Sequence, residues 1–348
     1  MRIVVTGATG NVGTSTLGAL ARDPAVEEIV GLSRRVPRWS NPRTRWVRAD
    51  VVTSPLEEIF AGADVVIHLA WLIQPSRDPA TLRAVNVEGS RRVFEAAARA
   101  GVGALVHASS VGVYSPGPKD RRVDESWPRD GVPTSFYSRH KAEAERLLDG
   151  FEDRLRVVRL RPALIFKGEA ASEIRRYFAG PLLPSPLVDP RLIPVLPLPD
   201  TLVLQAVHSY DVGEAYRLAA TSADARGAYN IAAEPVLDPP TLARLLGARR
   251  VRVPARVLRT VTALSWRAGL QPTPPGWLDM GMAVPTLDTR RAREELGWMP
   301  RHDAGEALLE LLHGIRRSQG LPTPPLEPRA GGPLRHREFP PGAARGSI

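Results

Sequence analysis

Short apolar runs alternate along the first half of the chain with segments whose apolar residues recur every three or four positions. The first pattern predicts buried strands and the second amphipathic helices. The predicted strands are 3–5, 28–32, 46–48, 65–69, 104–108 and 156–160, with helices ending near 21 or spanning 56–60, 86–100 and 137–149. Because such alternation builds a parallel sheet covered by helices on both faces, we predict an α/β fold with a doubly wound parallel sheet.

Three glycines follow the first predicted strand at intervals of three residues. Gly7 can adopt a turn that a side chain would obstruct, Gly10 lets the backbone approach a pyrophosphate, and Gly13 allows close packing of helix on strand. The N-terminus of the following helix supplies free N–H groups for the anion. We therefore predict a Rossmann dinucleotide-binding loop, whose cofactor-binding residues are Gly7, Thr9, Gly10, Asn11, Val12 and Gly13.

The alternation weakens after Arg161-Pro162, and residues 181–199 contain seven prolines, which predicts a loop-rich excursion over the ligand cleft. Strand and helix patterns return over 203–232. We predict a Rossmann domain formed by 1–166 and 203–232, with a smaller, interleaved C-terminal substrate domain formed by 167–202 and 233–317. Residues 318–348 are rich in proline, glycine and arginine, so we expect a disordered tail whose removal from 320 leaves stability and turnover unchanged.

Composition narrows the function classes. The chain has no cysteine and its seven histidines are scattered, so no metal site is predicted. The net charge is +10, but the arginines that dominate it are dispersed, which favours affinity for a polyanionic small molecule over a nucleic-acid surface. The longest apolar run, 65–73, is interrupted by His68 and is too short to span a bilayer. We expect a cytoplasmic protein without a membrane partner.

Tyr137 and Lys141 are four residues apart on a predicted helix and therefore share one face. A phenol with a pKa of about 10 must lose about three units to act as a base near neutrality, which is about 4 kcal/mol. An ammonium roughly 4 Å away at an effective dielectric of about 20 supplies that amount. Ser110, upstream, can orient a substrate hydroxyl. Alone, the pair also fits a surface helix with an incidental tyrosine and lysine.

The chain resembles an extended short-chain dehydrogenase/reductase of the NAD-dependent epimerase/dehydratase family. The motifs that carry this resemblance, in family order, are Thr6 to Gly13, Ala49 to Val51, His68 to Ala70, Val85 to Gly89, Ser109-Ser110 with Val113-Tyr114, Tyr137 to Lys141, Arg161-Pro162 and Val207 to Val212. The resemblance implies that Tyr137 is the catalytic acid/base, that Lys141 lowers its pKa and holds the nicotinamide ribose, and that Ser110 is the catalytic serine.

The same resemblance implies further cofactor contacts. Asp50 and Val51 should border the adenine, Leu69 and Ala70 the cofactor channel, and Pro162 the nicotinamide. Asn86 matches a position that supports the active site, although a buried helix-capping asparagine is an equal reading.

Three positions depart from the family pattern. Ser33, Arg34 and Arg35 stand where an acidic residue would bind the ribose hydroxyls of NAD, which favours the 2′-phosphate of NADP. Trp71 stands where a smaller residue is usual, and it either narrows the pocket or packs as core. Val111-Gly112 replaces the Asp-Glu pair that dehydratases of the family commonly carry, which weakens the dehydratase reading.

The preferred function is a nucleotide-sugar epimerase or dehydratase that holds NAD(P) tightly, with a homodimer as a possible assembly. Arg175, Arg176 and Arg191 are candidates for contacting a diphosphate, although each is also typical of a solvated surface. The first alternative is an NADP-dependent reductase of a non-sugar ketone or aldehyde that releases its cofactor after each turnover. The second is a non-catalytic NAD(P) sensor, which would need the glycine loop but not Ser110, Tyr137 and Lys141.

Overall fold

The computed structural model describes residues 1–73, 78–179 and 193–330. The strands are β1 (Arg2–Thr6), β2 (Glu28–Ser33), β3 (Thr44–Arg48), β4 (Val65–His68), β5 (Ala104–Ala108), β6 (Arg122–Val123), β7 (Arg156–Pro162), β8 (Leu164–Phe166), β9 (Val195–Leu198), β10 (Leu204–His208), β11 (Gly227–Ile231), β12 (Ala233–Leu237), β13 (Arg249–Arg252) and β14 (Thr286–Leu287).

The helices are α1 (Asn11–Ala21), α2 (Leu56–Phe60), α3 (Pro79–Arg83), α4 (Ser90–Arg99), α5 (Phe136–Asp149), α6 (Ala171–Ile174), α7 (Ser209–Thr221), α8 (Pro239–Leu246), α9 (Ala255–Arg267), α10 (Pro275–Ala283), α11 (Arg290–Leu296) and α12 (Ala304–Arg317). A wider π-helical segment, Ala84–Gly89, joins α3 to α4.

Within the described ranges, seven parallel strands form the central sheet in the order β3-β2-β1-β4-β5-β7-β11. From β1 the chain adds strands towards one edge, and from β4 towards the other. The loops after β1 and β4 therefore diverge, and the crevice between them lies at the carboxyl ends of the strands, where doubly wound sheets bind their ligands. The Rossmann-type fold is confirmed.

Alternating strand residues cover the two faces of this sheet. Ile3 and Val5 pack on the side of α1 and α7, whereas Val4 packs with Phe60 and Phe94 from the helices of the opposite side. Burial of both faces explains why the central strands read as continuous apolar runs rather than as an alternating pattern.

The second half departs from the expected layout in one respect. Only Gly227–Ile231 of the returning segment joins the central sheet, whereas Leu204–His208 pairs with β8 and β12 in a separate small sheet. β9 pairs with β13 and β6 with β14 elsewhere. A short apolar strand such as Leu204–His208 can pair in either sheet, so the sequence pattern alone could not tell which strands it would pair with.

The disordered tail was predicted to begin at residue 318, whereas the structure describes an ordered chain as far as residue 330. Residues 318–330 pack against both the glycine loop and the segment after β8, with Thr323 and Leu326 buried: Thr323 donates to the Thr9 carbonyl, and Ser172 donates to the Gln319 carbonyl. Residues 331–348 and most of the proline-rich stretch, including Arg191, lie outside the described residues. Across the described part of the chain, no helix combines the length and the apolar character needed to cross a membrane.

Candidate active site

The glycine loop joins β1 to α1 at the carboxyl end of the sheet. Gly7 has φ +68°, and a Cβ there would lie 2.6 Å from the backbone nitrogen of Ala70, so only glycine fits this turn. The Gly10 N–H donates to the Gly7 carbonyl at 3.2 Å, and α1 begins at Asn11. This cradle fits a pyrophosphate, because a Cβ at Gly10 would meet no atom closer than 3.6 Å on its open side.

The end of β2 forms the neighbouring wall of the same cavity. Ser33 is buried, and its hydroxyl donates to the Arg35 carbonyl at 2.6 Å. Arg34 is partly exposed, Arg35 is exposed, and both border the cavity together with Asp50. Two arginines therefore border the cavity directly after β2, on the wall next to the cradle.

The end of β4 is held by a buried histidine. The Nδ1 atom of His68 lies 2.8 Å from the Thr6 hydroxyl and its Nε2 atom 2.9 Å from the Ser90 hydroxyl, and the Thr6 hydroxyl accepts from the Ala70 N–H at 3.2 Å. Burial lowers the pKa of His68 to about 3, so the ring is neutral. His68 fixes the floor of the cavity and takes no charge.

Asn86 lies behind the cavity wall rather than in it. Its carboxamide oxygen accepts from the Leu72 N–H at 2.7 Å, and its nitrogen donates to the Leu72 carbonyl at 3.0 Å. Both ends of the side chain are thus used to hold one backbone position. Asn86 therefore holds Leu72, which lines the cavity, and its assignment as a cofactor-binding residue stays a prediction.

The other residues predicted from the sequence to bind cofactor or to catalyse border one continuous cavity of about 680 Å³. Tyr137 and Lys141 enter it from the first turns of α5, which Ser135 caps by accepting from the Ser138 N–H. Ser110 enters from the turn after β5. Elements far apart in sequence thus bring these three side chains and the glycine loop to the same space.

The electrostatics of this group differ from the expectation. Burial raises the pKa of Tyr137 to about 12, and a hydrogen bond with Ser110 offsets only part of that rise. Burial also lowers the pKa of Lys141 well below its usual value. The Lys141 Nζ atom donates to the Ala108 carbonyl at 2.5 Å and lies 3.4 Å from the Trp71 ring centroid, but 5.7 Å from the Tyr137 ring centroid. The ammonium is therefore engaged mainly by other groups, and the phenol is neutral.

A buried polar network supports the turn that carries Ser110. Arg161 donates to both carboxylate oxygens of Glu145, at 2.9 and 2.6 Å, and to the Tyr114 hydroxyl at 3.0 Å. Ser109 donates to the same carboxylate at 2.5 Å. The Ser109, Tyr114 and Arg161 positions of the family motifs therefore meet in one ion-pair network behind the cavity, with Glu145, which no motif indicated.

The part of the cavity around Tyr137 and Trp277 is lined mainly by aromatic and aliphatic side chains, and Glu173, Arg176 and Tyr177 also border it. The Trp277 ring lies 4.9 Å from the Tyr137 ring, and Trp71 meets Tyr137 edge-on at 6.3 Å. Among the described residues, neither indole N–H has a hydrogen-bond acceptor. Burial raises the pKa of Glu173, a carboxyl in this wall, to about 7. Other apolar residues of this wall are Ile73, Val111, Phe166, Ile174, Phe178, Leu202, Leu204, Pro272 and Met280.

The segment 319–330 closes another side of the cavity. The Thr323 hydroxyl donates to the carbonyl of Thr9 within the glycine loop at 2.9 Å. Arg176 donates to the Pro325 carbonyl at 2.6 Å, and Pro324 and Pro325 line the cavity. Sequence reasoning missed these contacts, because a proline-rich stretch without periodicity carries no signal of its docking site.

Two proteins with similar sequences show how far the similarity extends along the chain. An uncharacterised protein of Mycobacterium tuberculosis is 28% identical over 324 residues, which cover 92% of this chain but 31% of the relative, so the chain spans about a third of that protein. A ketoreductase of Stigmatella aurantiaca, acting on 4-hydroxy-2-methyl-3-oxo-4-farnesyl-3,4-dihydroquinoline-1-oxide, is 32% identical over 150 residues, or 42% of this chain and 45% of the relative.

A solved structure, MoeE5 in complex with UDP-glucuronic acid and NAD, superposes with a TM-score of 0.68 at 24% identity, covering 91% of this chain and 100% of that chain. At this identity the likeness shows a shared fold. The model of the family described as "NAD dependent epimerase/dehydratase family" matches residues 3–177, about half of the chain, and this match runs from β1 to the last helical segment before the proline-rich stretch. The chain therefore belongs to the NAD-dependent epimerase/dehydratase family.

Proposed function

We propose that the protein is an NAD(P)-dependent oxidoreductase that interconverts a carbonyl group and a carbinol. The observation that carries this proposal is that Ser110, Tyr137 and Lys141 border the same cavity as the glycine loop. A nicotinamide cofactor, when bound, supplies the ring carbon that gives or takes a hydride. Gly7 to Gly13 would hold its pyrophosphate, and Arg34 and Arg35 its adenosine end.

The neutral phenol of Tyr137 can donate a proton to a substrate oxygen. When the carbonyl carbon of a substrate is reduced, its oxygen would take the proton of the Tyr137 hydroxyl. Ser110 donates a hydrogen bond to the same oxygen and stabilises its developing charge. The Lys141 ammonium would then return a proton to the tyrosinate, and the resulting amine would regain its proton from solvent in the cavity.

We further propose that NADP is the preferred cofactor. Ser33, Arg34 and Arg35 end β2 at the cavity, and a guanidinium there can form charge-assisted hydrogen bonds to a 2′-phosphate. An acidic side chain at this position would instead accept hydrogen bonds from ribose hydroxyls.

The aromatic wall favours an apolar ketone or aldehyde over a nucleotide sugar. Of the arginines considered for a diphosphate, Arg175 is buried, Arg176 donates to Pro325, and Arg191 lies outside the described residues. The wall beside Tyr137 offers Trp71 and Trp277, and the two cations that line this part of the cavity, Lys141 and Arg176, already donate to backbone carbonyls. The related ketoreductase, whose substrate carries a farnesyl chain, agrees with this reading.

Dehydratase chemistry receives no support at the position after the catalytic serine. A Cβ at Gly112 would lie 3.0 Å from both the Tyr137 ring and the Met280 sulfur. A larger side chain there would require Met280 or Tyr137 to shift by a few tenths of an ångström, and the Asp-Glu pair of the dehydratases is not present at 111–112. A nucleotide-sugar epimerase remains the second candidate, because the similar fold of MoeE5 was solved with UDP-glucuronic acid and NAD.

The test is a substrate panel with NADPH. We expect aryl and long-chain ketones or aldehydes to oxidise NADPH mole for mole with carbinol formed, and UDP-glucose, UDP-glucuronic acid and dTDP-glucose to give no product. Trp277→Ala should raise KM for the best ketone, whereas Trp39→Ala, which packs against Trp46 away from the cavity, should not. Epimerisation of a nucleotide sugar without net NADPH consumption would overturn the substrate assignment.

A further inference from the structure

Helix α9 is an outlying element whose residues are all at least partly exposed. Val257, Val261 and Leu264 follow the i, i+4, i+7 spacing of one helical face, and with Leu270 beyond the helix they are 52% to 58% exposed. A face of large apolar side chains left in contact with water is typical of an interaction surface. The opposite side of α9 packs on α10, where Arg259 pairs with Asp279 at 2.8 Å.

The chain segment that contains this face is strongly cationic. Residues 239–278 contain seven arginines and neither aspartate nor glutamate. Arg250 and Arg252 share Asp200, whereas Arg256 and Arg267, on α9 itself, are exposed. On the helical wheel these two arginines flank the apolar face on one side, so apolar and cationic groups are presented together.

We propose that α9 docks the protein on the surface of a membrane that contains anionic lipid. An amphipathic helix with arginines beside an apolar face binds at the boundary between headgroups and acyl chains, through burial and charge together. A symmetric contact with a second copy would bring the same arginines face to face without an acidic residue from 239–278 to neutralise them. No membrane partner was expected from the sequence, because no apolar run is long enough to span a bilayer. Docking on the membrane surface does not require such a segment.

Helix α9 lies next to the part of the chain that forms one wall of the cavity. Two residues after the exposed Leu270, Pro272 lines the cavity, and α10, on which α9 packs, contributes Trp277 and Met280 to the same wall. Because α10 lies behind α9, docking through α9 would bring the cavity wall that α10 forms to within about one helix layer of the lipid surface. The docking itself does not depend on the proposed reaction.

The test is co-sedimentation of the full chain with vesicles of phosphatidylcholine alone or mixed with phosphatidylglycerol. We expect binding to the mixed vesicles that weakens with added salt, and at least tenfold weaker binding for Val261→Asp/Leu264→Asp and for Arg256→Ser/Arg267→Ser. Met299→Asp, at an exposed apolar residue outside α9, is the matched control and should bind like the unchanged protein.

Turnover of a water-soluble ketone should be the same in all variants, which separates failure of docking from failure of the proposed reaction. Absence of wild-type binding to the mixed vesicles, or equal binding by the variants, would overturn the proposal. So would a lipid-free dimer that Val261→Asp/Leu264→Asp dissociates, since the face would then be covered by a second copy.

Discussion

Replacing Glu145 by alanine should destabilise the protein more than any exposed ion-pair substitution. The Glu145 carboxylate is inaccessible, and it accepts two hydrogen bonds from Arg161, which is itself 3% exposed, and one from Ser109. The substitution removes the only carboxylate bonded to this guanidinium among the described residues. The buried Arg161 guanidinium would then lack a counter-charge, and the Ser109 hydroxyl would lack its hydrogen-bond acceptor.

The expected cost is about 3–5 kcal/mol of unfolding free energy, the range for removing one partner of a buried pair. The chain offers a matched control two residues earlier on the same helix. Glu143 forms an equally bidentate pair with Arg83, at 2.8 and 2.6 Å, but these side chains are 31% and 49% exposed. Solvent screens that pair, so Glu143→Ala should cost about 0–1 kcal/mol.

Both variants can be compared by urea unfolding followed with tryptophan fluorescence and far-UV circular dichroism. Coincident transitions by the two probes are required before a free energy is assigned. A loss for Glu145→Ala no larger than that for Glu143→Ala would refute the argument that burial makes the first pair structurally important.

Three further outcomes follow from the site. Burial by itself would raise the pKa of Glu145, but the hydrogen bond and charge of Arg161 outweigh burial and hold the pKa below 4.5. The stability that the ionised Glu145 contributes is therefore complete above pH 4.5 and is lost as pH falls through the lower pKa of the folded state. The free energy of unfolding should accordingly fall more steeply with acid for the wild type than for Glu145→Ala. Arg34→Ala should weaken NADP about tenfold or more and leave NAD unchanged in calorimetric titrations, and equal losses would remove the case for NADP. Thr323→Val should lower the Tm and weaken NADP binding several-fold, because the buried Thr9 carbonyl loses its donor; unchanged values would show that the 319–330 segment only rests on the loop.

Local patterns predicted the parts of the molecule that depend on neighbours in sequence. The glycine spacing placed the cradle, because the turn, the phosphate approach and the helix start all involve residues 7–13. The four-residue spacing of Tyr137 and Lys141 likewise placed both side chains in the cavity. Helix α12 was not predicted, although Ala307, Leu311 and Ile315 recur four residues apart and are buried.

Properties that depend on tertiary contacts were not predictable. The Lys141 ammonium was expected beside the Tyr137 phenol, but it contacts the Trp71 ring and the Ala108 carbonyl instead. The four-residue spacing on the helix could not predict either contact. Thr323 meets Thr9 across more than three hundred residues, so no local pattern could reveal the contact. Asn86 was assigned by position in a motif, whereas its role depends on the loop that it holds.

The most direct test of the central claim is the turnover of Tyr137→Phe with the best carbonyl substrate and NADPH. Phenylalanine keeps the ring that packs against Trp277 and removes only the hydroxyl that would give up the proton. We expect kcat to fall by about 10² or more with NADPH affinity nearly unchanged, because the lost interaction acts in the transition state. A variant that retains more than half of the wild-type kcat would contradict the assignment of Tyr137 as the proton donor.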